Sequence, residues 1–320
     1  MSSVILHRHA VKKDQVDEIV ELCHAVLGNR DVAPLGEVYW PSHLAASRVP
    51  SEIRDVVQRS IIHEKAHAVV VSIDPAFLPE IPDCPKTHRP PGLQEEAGFW
   101  DVLALVMANV MGYPFTWSSI QNGYLQNDVI PVAGFESELS SRSSKIDFGL
   151  HTEDAFSSLA GEILALQCRY NDAQAATTLA AYDSRIVTSD FDRLFESEFQ
   201  IMPNVSHHEY SSVERQPLLY GLRDKPYFRI NAAQPILAPD TAEGTVKEFI
   251  AMLEDNIVGV VLEPGDHLVV DNTRVAHGRS RFKYSADDHN RWLRRLYVAS
   301  DLRRSRHRRS SAESWLVEAW

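Results

Sequence analysis

With 320 residues, 44% of them hydrophobic and 24% charged, the chain has the composition of an ordinary folded protein, long enough for one large or two modest domains. A formal net charge of −12 excludes the broad basic footprint that a phosphate backbone recruits, so no nucleic-acid partner is expected. The three cysteines, Cys23, Cys84 and Cys168, have no paired spacing, the N-terminus lacks a signal-peptide core, and no apolar run reaches membrane-spanning length, so reduced thiols, a cytoplasmic location and no membrane partner are expected.

Taken in order, the chain first predicts a helix over about 13–28, where Val16, Ile19, Val20, Cys23 and Leu27 recur at helical spacing and Gly28 stops the pattern. A Pro- and Gly-containing loop follows, then a helical run over about 51–64 and a buried strand over 66–73, at whose start His67 reads as a satisfied structural histidine. Six prolines between 75 and 93 mark a long surface connection, and 94–111 reads as a buried helix ended by Gly112-Tyr113-Pro114. Beyond it the period shortens. Runs at 164–170, 258–262, 267–271 and 295–299 are of strand length, with helical patterns at about 173–183, 187–196 and 241–255. Many short strands with long connections predict a mainly β chain with α decoration, built on a double-stranded β-helix, or jelly roll. We place its core at about 113–300, behind a helical part at about 1–112, within a single domain spanning 1–320. The run 301–310 holds five arginines against one aspartate and reads as a solvated basic turn.

Two separated stretches carry chemistry. In Gly149-Leu-His151-Thr-Glu153-Asp the histidine and the carboxylate stand two residues apart, and on an extended strand such residues share a face. Far downstream, Pro264-Gly265 turns into an apolar strand, a polar turn follows, and the chain reaches His277-Gly278-Arg279. Two imidazoles and one carboxylate on one metal, with positions left open, form the ligand set of the non-haem Fe(II) oxygenases.

These stretches, together with Asn290-Arg291-Trp292-Leu293-Arg294-Arg295, resemble the clavaminate synthase-like Fe(II)/2-oxoglutarate dioxygenases, and among them the hydroxylases of free arginine, asparagine or lysine. The resemblance runs from about Trp117 to Arg304. It implies His151, Glu153 and His277 as iron ligands, with O2 and 2-oxoglutarate as co-substrates. Glu153, which would also face the substrate, is replaced by a small residue in the related halogenases, so hydroxylation or desaturation is implied. The resemblance also implies Arg291, 14 residues after His277, as the grip on the distal carboxylate of 2-oxoglutarate, and Thr178, preferred to Thr177, as its second contact. Arg295 would hold the amino acid's α-carboxylate, with Gln121 and Ser141 as further substrate contacts. Arg294 would point the other way, to the surface.

At the side-chain end Asn231 stands where the arginine and asparagine hydroxylases carry an aspartate. An amide cannot neutralise a buried cation, so a neutral polar side chain is favoured unless a carboxylate such as Asp147 or Glu214 closes the pocket. The long polar segment at about 198–222 is expected to act as a lid. His207 and His208 are adjacent and point apart on an extended chain, so they are not read as a second metal site. The reading is hydroxylation of a free L-α-amino acid at Cβ by a monomer or homodimer. Desaturation or cyclisation of a β-lactam-type precursor, and a metal-holding jelly-roll protein without oxygenase activity, are the alternatives.

Overall fold

The computed structural model describes residues 3–186, 189–204, 207, 213–285 and 289–319. Two sheets face each other. The larger runs Leu6–Ala10, Ala68–Ser72, Asp266–Asp271, Ile163–Asn171, Arg291–Ala299, Tyr113–Trp117 and Leu316–Val317, with Asn127–Val129 also paired to Arg291–Ala299. The smaller runs Val258–Val261, Ala176–Ala181, Val275–Arg279 and Phe148–His151. This is the jelly-roll core expected from the sequence. The first two strands of the larger sheet come from the N-terminal part, so that part is not purely helical.

Alternation along the strands builds three buried layers. Ala68, Val70, Leu164, Leu166, Leu268, Val270 and Leu293 of the larger sheet meet Leu179, Val260 and Val275 of the smaller one between the sheets. The intervening residues Val69, Val71, Val269, Leu296 and Val298 face outward, against the helices Lys13–Leu27, Leu35–Ala46, Ser51–Ile61 and Phe99–Asn109. That explains why Ala68–Ser72 reads as a continuous apolar run, since both of its faces are covered. On the outside of the smaller sheet, Ala180 and Ala276 pack with Phe249, Met252 and Leu253 of the helix Glu243–Glu254.

Three expectations are corrected. The loop read after residue 28 contains the helix Leu35–Ala46, in which Pro41 lies inside the element. The stretch read as a helix at 173–183 is the strand Ala176–Ala181, because pairing on both sides with Val258–Val261 and Val275–Arg279 overrides its Ala-rich local preference. The basic run is not simply solvated. Within it Leu302–Arg308 is a 3-10 helix, Arg303 pairs with Asp301, Arg304 pairs with Glu162, and the buried Arg309 donates to the carbonyls of Leu302, Ala312 and Ser314. All three cysteines are free, and among the described residues no helix is long and apolar enough to cross a membrane.

Two histidines are held neutral by the fold. His67 accepts the Ile5 N–H on Nδ1 at 2.9 Å, and burial pushes its pKa down to about 4. His267, on the helix-facing side of its strand, is pushed down to about 3, first by burial and then by Arg169. A depressed folded-state pKa means that the unfolded chain binds protons first as pH falls. Stability should therefore decline from about pH 6.5 towards pH 4, by about 1.4 kcal/mol per pH unit for each such group at most. Thermal denaturation across that range should show this slope, and His267→Gln should flatten it; a wild-type melting temperature that does not change between pH 7 and 4.5 would contradict the assignment.

Candidate active site

The smaller sheet sets the geometry. His151 ends the strand Phe148–His151 directly opposite His277, and on its other side it forms a bridge with Asn231. Residues facing each other across an antiparallel pair lie on the same side of the sheet, so all three share one face. Glu153 follows where the chain leaves the strand, and Asp154 takes a positive φ of 52°. The ligand-type atoms of His151, Glu153 and His277 all lie within 4.8 Å of one another, and all three residues are buried. Gly278 makes the pairing possible, since a Cβ there would collide with the Phe148 carbonyl oxygen.

The electrostatics suit a metal. His151 Nδ1–H donates to the Gly149 carbonyl at 3.0 Å, which leaves Nε2 with its lone pair facing inward. Burial, then the neighbouring His277, pushes the His151 pKa down to about 4, so the ring is neutral at physiological pH. Burial alone would push the Glu153 carboxyl up, but Arg295 at 3.0 Å and the two imidazoles hold it well below the usual carboxylate range. The donor set is two imidazoles and an ionised carboxylate.

Arginines line the same cavity. Arg291, Leu293 and Arg295 face inward from one strand, and Arg279 joins them from beside His277. Arg291 donates through Nη2 to Thr177 Oγ1 at 2.9 Å, while its Nε is buried without a partner. Burial, helped by the nearby Arg279, pushes the Arg291 guanidinium down to about 9. Arg295 reaches Asn127 Oδ1 through Nη2 at 3.3 Å and also keeps a buried, unpartnered Nε. Val129, Leu164 and Leu166 complete the wall. A separate cavity of about 270 Å³ lies behind Glu153, but neither histidine lines it.

Comparison with known proteins agrees with this geometry. Residues 118–297 match the family described as taurine catabolism dioxygenase TauD, TfdA. The chain belongs to that family. Among curated relatives, it is 30% identical to an enduracididine beta-hydroxylase of Streptomyces hygroscopicus, over 96% of this chain and 98% of the relative. It is 31% identical to an L-ornithine/L-arginine 3-hydroxylase of Catenulispora acidiphila, over 68% and 72% of the two chains. Among solved structures, the non-heme iron oxygenase OrfP in complex with Fe, succinate and (3S)-hydroxy-L-Arg superposes with a TM-score of 0.88 at 25% identity, covering 97% of this chain and 99% of that one.

The structure places the other expected residues unevenly. Ser141 lines the cavity. It is Thr177, not Thr178, that meets Arg291: Thr177 pairs with Arg279 on the inner face, whereas Thr178 pairs with Gly278 and faces out. Reading 173–183 as a helix hid the strand parity that decides between them. Gln121 is placed apart from them: both ends of its amide are bound to the Asp128 main chain, at 2.8 and 2.9 Å, and it does not line the cavity. Arg294 does face away from the cavity but is buried, not on the surface, in ion pairs with Asp128 at 2.6 Å and Asp101 at 2.9 Å under the helix Phe99–Asn109.

Asn231 Oδ1 accepts the Ala233 N–H at 3.1 Å, and Asn231, although bridged to His151, does not line the cavity. Asp147 and Glu214 are exposed and do not close the pocket. Seven residues of the segment expected to be a lid, 205, 206 and 208–212, His208 included, lie outside the described residues, while Phe199, Leu218 and Leu219 at its ends sit in the outer core. His207 is buried between Asp154 Oδ1 at 3.1 Å and Ser119 Oγ at 2.9 Å, and among the described residues the cluster of His151, Glu153 and His277 is the only group with metal-ligand geometry.

One positioning residue escaped sequence reading. Asn272, in the polar turn before His277, accepts the Glu153 N–H on Oδ1 at 2.7 Å and donates through Nδ2 to the carbonyls of Glu153 and Gly161. It fixes the main chain of the ligand carboxylate from the turn that joins a strand of the larger sheet to one of the smaller. Its only sequence signal was an asparagine in a turn, which ordinarily serves its own turn. Asn272→Ala should lower divalent-metal affinity roughly 10- to 100-fold and cost about 1–3 kcal/mol of stability. Anaerobic Fe(II) titration and chemical denaturation measure the two effects; wild-type metal affinity in the variant would show that the clamp does not position Glu153.

Proposed function

We propose that the chain hydroxylates the β-carbon of a free L-α-amino acid with a polar side chain, using Fe(II), 2-oxoglutarate and O2 and releasing succinate and CO2. That it is an iron- and 2-oxoglutarate-dependent amino-acid oxygenase follows from its family, from hydroxylase relatives that match over most of the chain, and from the buried triad. The observation that carries the reading is the triad and the inward-facing Arg291 and Arg295 on one cavity wall.

In this reading His151, Glu153 and His277 hold the iron. Iron bound there supplies the activation of dioxygen that couples decarboxylation of 2-oxoglutarate to replacement of a C–H bond by C–OH. Arg291, oriented by Thr177, grips the distal carboxylate as a planar fork. Arg295 has two tasks: it steadies Glu153, and it offers its remaining donor to the α-carboxylate of the amino acid, with Ser141 alongside. Holding the backbone end of the substrate brings the adjacent β-carbon to the metal. The apolar residues Val129, Leu164, Leu166 and Leu293 exclude water from the reacting atoms.

Asn231, the bridge partner of His151, carries an amide rather than a carboxylate and cannot neutralise a cationic side chain, which favours a neutral polar one. The test is to incubate the protein with Fe(II), 2-oxoglutarate and a panel including asparagine, citrulline, ornithine, lysine, arginine and enduracididine, following succinate and product mass. The expected product is one oxygen heavier, with kcat/KM higher for citrulline or asparagine than for arginine, and His151→Ala and His277→Ala should fall to background. A product two hydrogens lighter would mean desaturation, and a strong preference for arginine would contradict the role given to Asn231.

A further inference from the structure

The arginine left without a role is Arg279. It stands two residues beyond His277 on the same strand and so on the same face, where it lines the cavity. Its register partner is Thr177, whose hydroxyl receives Arg291. Arg279, Thr177 and Arg291 therefore follow one another around one end of the cavity, and Arg295 and Glu153 occupy the other side.

Arg279 is 5% exposed, and its polar partners are both neutral: Nη2 donates to Ser143 Oγ at 2.9 Å and to the Ile146 carbonyl at 3.2 Å. Its Nε is buried with no partner, as is that of Arg291. Among the described residues neither guanidinium forms an ion pair, and the one carboxylate in the cavity wall, Glu153, is engaged by Arg295. Asp147 acts on Arg279 only from beyond ion-pair distance, so two adjacent buried cations lack a directly paired anion, which is costly, and a ligand carboxylate would relieve both. Mere anchoring of the 140–146 segment would need a hydrogen-bond donor there but no second buried charge.

We propose that Arg279 is a second determinant of co-substrate choice, acting with Arg291 on the distal carboxylate so that the site selects a 2-oxo dicarboxylic acid over a 2-oxo monocarboxylic acid. The inference rests on the dioxygenase reading of this same site.

The test is anaerobic calorimetric titration of the Fe(II)-loaded protein with 2-oxoglutarate and with 2-oxobutyrate, which lacks the distal carboxylate, for the wild type and for Arg279→Met, Arg279→Lys, Ser143→Ala and Arg291→Met. Arg279→Met should weaken 2-oxoglutarate binding roughly tenfold or more, as expected for loss of a charge-assisted contact. It should leave 2-oxobutyrate binding within about twofold. Arg279→Lys should recover part of the loss, which excludes misfolding as its cause, and Ser143→Ala should bind 2-oxoglutarate nearly as the wild type does. If Arg279→Met and Ser143→Ala both raise only the KM for the amino acid, Arg279 is a loop anchor and the proposal is overturned. Loss of 2-oxoglutarate binding in Arg291→Met but not in Arg279→Met overturns this inference alone, whereas a wild-type protein that does not bind 2-oxoglutarate overturns the dioxygenase reading with it.

Discussion

The register between the strands Phe148–His151 and Val275–Arg279 is the constraint on which the site depends. It sets His151 opposite His277, although 125 residues separate them in the chain. A slip of one residue would turn one imidazole out of the sandwich. The register is locked from several directions: Gly278 admits the Phe148 carbonyl, Asn231 bridges to His151, and Asn272 clasps the main chain of Glu153. The ligand set is thus held by backbone pairing and by a side chain that touches no metal. Such support is what a rigid constellation requires.

Charge explains what the cavity is for. Its wall carries the guanidinium groups of Arg279, Arg291 and Arg295 against the single carboxylate of Glu153, all of them buried or nearly so. A core with that balance is stable only if each cation finds acceptors, and the neutral partners Thr177, Ser143 and the Ile146 carbonyl meet part of the demand. The Nε groups of all three arginines remain buried without a partner. The opposite face of the larger sheet shows the contrast. Arg294 and Arg169 are also buried, but Asp101 and Asp128 satisfy them, and their role is to fasten the helix Phe99–Asn109 to the sheet.

How far the sequence could be read follows from where each signal resides. His151 and Glu153 were legible from strand parity, and His277, Arg291 and Arg295 from the order and spacing of motifs that resemble a known family. The jelly roll was legible from short apolar runs between turns. Which threonine meets Arg291 was not legible, because the Ala-rich stretch Ala176–Ala181 has a helical local preference and becomes a strand only through partners far away in the chain. The surroundings of Gln121 and Arg294 were not legible for a related reason: they depend on Asp128 and Asp101, which no local pattern links to them. Asn272 was invisible because an asparagine in a turn looks the same whether it serves the turn or a strand beyond it.

The central claim is that one buried cluster holds the metal and that the guanidinium groups beside it hold the co-substrate. Anomalous diffraction at the iron edge, from anaerobic crystals grown with Fe(II) and 2-oxoglutarate, tests this most directly. A single iron peak is expected between His151, Glu153 and His277, with the distal carboxylate of 2-oxoglutarate against Arg291. An iron peak elsewhere, or a 2-oxoglutarate bound away from this cavity, would contradict it.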